Sequence, residues 1–91
     1  MRAELQTASD DTLRLEGEIR DTANKTLVST VFLRKGVAST FQLPTGKYVY
    51  LFHVDVGAGA FSLAVTPSKT PPGSFDTSTD GDYGLSYPFQ V

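Results

Sequence analysis

Few residues in this chain are of types that do chemistry. The one histidine, His53, stands two positions before Asp55. Residues two apart in a strand project from the same face, so an imidazole and a carboxylate would share a surface. With serines elsewhere this is the raw material of a Ser/His/Asp relay. No Gly-x-Ser-x-Gly elbow is present to expose a nucleophile, and the same strand face carries Val49 and Leu51. The pair reads as packed or rim residues, and no catalytic residue is assigned. With no cysteine there is no disulfide, thiolate nucleophile or Cys-based zinc site, and one histidine excludes a multi-His metal site within one chain.

A second constellation is Asp76-Thr77-Ser78-Thr79-Asp80-Gly81-Asp82. Oxygen ligands at alternate positions followed by glycine match the way loops wrap calcium, which makes Asp76, Ser78, Asp80 and Asp82 the candidate metal ligands. The bidentate glutamate of an EF-hand is missing, since its place is taken by Tyr87. Only a loop-type calcium site is left, and the same residues are what solvated turns are made of. No other cofactor is implied. A third feature is the long segment from Pro67 to Asp82, a length that in a compact domain points to function or disorder. Phe75 within it either pins the loop to the core or meets a partner. Phe75, Tyr83 and Tyr87 are the candidate partner or ligand contacts.

The elements that must position these residues are strands. Leu13, Leu15 and Ile19 alternate with charged and polar neighbours, the pattern of a half-buried strand. Asp21 to Lys25 supplies turn formers before a β-branched, apolar run from Thr26 to Leu33, and Arg34-Lys35-Gly36 reads as a charged hairpin tip that closes it. Val37 to Leu43 alternates until Pro44-Thr45-Gly46 stops it, because proline lacks the amide hydrogen a ladder needs. Lys47 to Val56 is apolar on both faces and predicts a central strand. Phe61 to Val65 follows after Gly57-Ala58-Gly59. Tyr83 to Val91 alternates again, and Pro88 restricts that strand to a sheet edge or a bulge. Glu4 to Ala8 adds a short first strand. No window holds a 3.6-residue period, and turns recur about every ten residues, so the fold class is all-β: an antiparallel Greek-key β-sandwich, immunoglobulin-like or related, of about seven strands. Leu15, Ile19, Val31, Phe41, Leu43, Tyr48, Phe52, Phe61, Leu63, Leu85 and Phe89 are the expected core.

Length and charge narrow the function. Ninety-one residues with no repeat or linker read as a single domain over 1–91, large enough for one core but not for a core plus a deep active-site cavity. A formal net charge of −2 lacks the basic patch that a phosphate backbone demands, so no nucleic acid is expected. The apolar runs are too short to cross a bilayer, and Met1-Arg2-Ala3-Glu4 leads into no signal-peptide core. A soluble domain with no membrane contact is expected, and no compartment is indicated.

The stretch Phe41-Gln42-Leu43-Pro44-Thr45-Gly46-Lys47-Tyr48-Val49-Tyr50-Leu51-Phe52-His53-Val54-Asp55 resembles the Leu-Pro-x-Gly-x-Tyr corner of immunoglobulin-like sandwiches. It is also similar to a strand of glycogen- and starch-binding modules. The first resemblance implies a tyrosine hydroxyl bonded back to the corner. The second implies sugars stacked on tryptophans, and this chain has none. The expectation is a non-enzymatic binding or assembly module acting through protein contacts, self-association through a terminal edge strand included. Its alternative is a carbohydrate-binding module with a polysaccharide ligand.

Overall fold

The computed structural model describes residues 1–7, 12–57, 59–76 and 84–91. All regular structure in these residues is β, in eight strands. They are β1 (Arg2–Thr7), β2 (Arg14–Asp21), β3 (Leu27–Arg34), β4 (Ser39–Thr40), β5 (Lys47–Val56), β6 (Ala60–Thr66), β7 (Gly73–Asp76) and β8 (Leu85–Gln90). Two four-stranded sheets form, in the orders β4-β1-β6-β7 and β3-β2-β5-β8, and every pairing is antiparallel. This is the arrangement of a β-sandwich, because the alternating apolar faces of both sheets must turn towards each other to leave water.

The core follows the period-two pattern. Leu15, Ile19, Val31, Leu33, Tyr48, Tyr50, Phe52, Val54, Tyr87 and Phe89 from one sheet meet Ala3, Leu5, Phe61, Leu63 and Val65 from the other, all buried. Phe41, Leu43 and Leu85, expected in the core, are only partly buried against it. Close approach in the β3-β2-β5-β8 sheet depends on Gly17, which lies between Val31 and Phe52 in the ladder. A Cβ there would fall within 2.6 Å of the Phe52 Cβ and within backbone contact of Leu51. Three tyrosines anchor the layers through their hydroxyls. Tyr48 donates to the Pro44 carbonyl at 2.7 Å, Tyr50 to Val31 at 2.8 Å and Tyr87 to Pro71 at 2.9 Å.

Three expectations are corrected. Arg34-Lys35-Gly36 does not join two neighbouring strands of one sheet. It turns tightly, with Gly36 at φ 79°, and sends the chain across to the other sheet. The Val37 to Leu43 run therefore shrinks to Ser39–Thr40 beside β1, extended by Phe41, which exchanges bonds with Met1. The segment after Pro67 contains a strand, β7, paired with β6 from Gly73 opposite Leu63 to Asp76 opposite Ala60. Finally, the N-terminal strand is no edge: β1 lies between β4 and β6. Lys47–Val56 does lie inside its sheet, and Pro88 does sit on an edge strand, β8.

Candidate functional site

The chemistry-bearing residues collect on the outer face of the β3-β2-β5-β8 sheet. Glu16 on β2 faces His53 on β5 across one side of the ladder and Phe32 on β3 across the other. The His53 Nε2 lies 3.7 Å from the Glu16 Oε2, with both side chains about half exposed. Asp55, two residues along β5, completes a group whose ligand atoms all lie within 4.8 Å of one another. One imidazole and two carboxylates at this spacing could bind a divalent cation. In solvent the Glu16–His53 pair adds little stability, because water and salt screen it and two side chains must be ordered to form it. The carboxylate facing His53 is Glu16, which the spacing of His53 and Asp55 alone did not reveal.

The expected site residues fall elsewhere. Asp76 ends β7, while Ser78, Asp80, Asp82 and Tyr83 lie outside the described residues. Phe75 packs inward, stacked on Phe61 at 5.5 Å and edge-on to Phe52 at 5.3 Å. It pins its segment to the core. Tyr87, expected at a contact surface, is corrected to a core residue: it is 4% exposed and stacks on Phe89. Burial raises the pKa of its hydroxyl.

What the sheet does present is β3. Among the described residues six large hydrophobics are exposed, and four of them, Leu27, Val28, Phe32 and Val37, belong to β3 or the turn that follows it. Phe32 is 61% exposed, and no other described aromatic is classed as exposed. β3 is also an edge strand. The Val37 amide donates to the Arg34 carbonyl at 3.2 Å, so the backbone groups of Arg34 point away from β2. In an antiparallel ladder these groups alternate in direction, so those of Thr30 and Phe32 also point away from β2. The register slips opposite Ile19 and Arg20, leaving Val28 without a direct partner and Ser29 to Leu33 as the regular part of the edge. At the other edge of the sheet, β8 is blunted over its C-terminal half. Pro88 has no amide hydrogen, the Ser68 hydroxyl and Lys69 amide donate to the Gln90 carbonyl, and the Gln90 amide donates to Thr70.

The sequence held a signal for this surface. Leu27, Val28, Val31, Phe32 and Leu33 place apolar groups on both parities of one strand, and a strand of a two-sheet sandwich has only one face against the other sheet. No protein-family model, curated protein or solved structure gives a significant match to this chain.

Proposed function

We propose that this chain is a non-enzymatic β-sandwich module that works through protein contacts, and that β3 is its contact surface. The observation that supports the reading most is the clustering of exposed apolar groups at one unpaired edge. Leu27, Val28, Phe32 and Val37 lie beside amides that face solvent, whereas the opposite edge is blunted by Pro88 and the Ser68 to Thr70 segment. An edge of this kind adds an extended partner strand, with main-chain bonds giving affinity and side-chain pairs giving selectivity.

Within this reading the architecture is a Greek-key sandwich of immunoglobulin-like character. In support, β4 returns to lie beside β1 after the β2-β3 hairpin, and Tyr48 ties back to Pro44 as the corner resemblance implies. A polysaccharide ligand has less support: a sugar platform needs several exposed rings, and among the described residues Phe32 stands alone.

Selection of extended peptides from a random library tests the proposal, with binding mapped by backbone amide chemical shifts. The expected map covers Ser29 to Leu33 with no change at β8, and Phe32→Lys weakens binding at least tenfold by placing a charge among the apolar contacts. Binders that map elsewhere and ignore Phe32→Lys would overturn it. So would a hydrolytic or transferase turnover that disappears in His53→Ala.

A further inference from the structure

We infer that the strand added at β3 is β3 of a second copy, running antiparallel about a twofold axis beside Val31. This deepens the protein-contact reading and rests on it. Within the regular part of the edge the outward backbone groups belong to Thr30 and Phe32, because those of Arg34 are taken by Val37. An axis at Val31 sets Thr30 opposite the partner's Phe32, and Phe32 opposite the partner's Thr30, so each pair exchanges amide and carbonyl bonds. A slip of one residue would oppose outward groups to inward ones. Moving the axis to Phe32 would require the occupied groups of Arg34, and moving it to Thr30 would carry the pairing into the irregularity at Val28.

Side chains and charge agree with this register. Thr30 against an aromatic ring is a favourable cross-strand pair, and Phe32 leaves water on both copies. Arg34 is the one charged residue of β3. The register keeps the two Arg34 side chains about 20 Å apart along the strands, so no like charges meet. The occupant is a second copy because an antiparallel edge is its own complement under a twofold axis. The two copies then form one continuous sheet of order β8-β5-β2-β3 followed by its reverse, and the β8 edges at its two ends are blunted by Pro88 and by the bonds to Gln90. So few paired residues bury far less than a standard interface of about 1,600 Å², so the dimer is weak and reversible.

The register is testable because the natural chain has no cysteine. Thr30→Cys mixed with Phe32→Cys would bring the two Cα atoms to about 5.5 Å, within the range a disulfide spans. Either variant alone would leave its two copies about 8 Å apart, outside that range. Sedimentation of the full chain up to several hundred micromolar is expected to show a reversible dimer. The mixed variants should cross-link faster than either alone by an order of magnitude or more, with unchanged circular dichroism confirming that each is folded. A strict monomer, or a dimer whose mixed variants cross-link no faster than the single ones, overturns the inference. If the chain is a monomer but selected peptides still bind at Ser29 to Leu33, the second copy is wrong and the contact surface stands. If they do not bind there, both fall.

Discussion

Gly17→Ala sets two levels of the structure against each other. Locally the exchange should help, since glycine in a strand costs about 0.5–1 kcal/mol relative to alanine through backbone entropy. The register opposes this. The new Cβ would fall 2.6 Å from the Phe52 Cβ and 2.7 Å from its Cα. Both are far inside van der Waals contact, and neither atom can swing away as a flexible side-chain end would. Relief requires β2 and β5 to separate in the middle of the sheet, where Phe52 also contacts Tyr50, Phe61 and Phe75. Overpacking of this kind costs about 1–3 kcal/mol, and a backbone clash belongs at the upper end of that range. Less the local gain, the net loss is about 1–2 kcal/mol. For a domain of this size each kcal/mol moves Tm by about 4–8 °C, so Tm should fall by about 5–15 °C. Urea unfolding followed by circular dichroism should show a lower midpoint at an unchanged slope. A Tm equal to or above that of the natural chain would refute the claim that side-chain absence at Gly17 sets the spacing of β2 and β5.

Tyr50→Phe removes the bond to the Val31 carbonyl and should cost about 1 kcal/mol at neutral pH in urea titrations. Burial, and secondarily the Glu16 carboxylate, raises the Tyr50 pKa. Its folded-state value thus lies above the unfolded one of about 10, so its contribution is intact below that pH and is lost as pH climbs past it. Stability of the natural chain should therefore fall more steeply above about pH 10 than that of Tyr50→Phe, and parallel curves would count against the assignment. Tyr48→Phe should likewise cost about 1 kcal/mol, and an unchanged midpoint would mean that the bond to Pro44 does not hold the corner. His53→Ala should move stability by no more than about 0.5 kcal/mol, because its contact with Glu16 is long and solvated. Gly36→Ala meets no atoms but must adopt a positive φ, so it should destabilise by about 1 kcal/mol while Gly36→Asn costs less.

Much of the fold is written in the period-two alternation. β2, β5 and β6 fall close to where the apolar residues place them, since each has one face that must be buried. The alternation could not say which sheet a strand joins. Val37 to Leu43 alternates as well as any strand, yet the Gly36 turn carries it to the other layer, where Ser39–Thr40 alone pair as a strand. β7 was hidden because Pro71 and Pro72 precede it and only Phe75 marks its inward face. For the site, residue chemistry drew attention to Tyr87, Phe75 and the aspartates, whereas exposure depends on strand order. Phe32 is absent from the residues singled out, because its importance comes from an outward position on a strand that lies at the sheet edge.

Open backbone groups along β3 are read directly by amide hydrogen exchange on the dilute chain. Amides that point to solvent from an edge exchange through local fluctuation, while those in the ladder wait for larger opening. Fast exchange is expected at Thr30 and Phe32, strong protection at the alternating Val31 and Leu33, and slowing at Thr30 and Phe32 once a strand is bound. Protection of Thr30 and Phe32 equal to that of Val31 in the dilute chain would mean that the edge is already covered and that β3 is not an open contact surface.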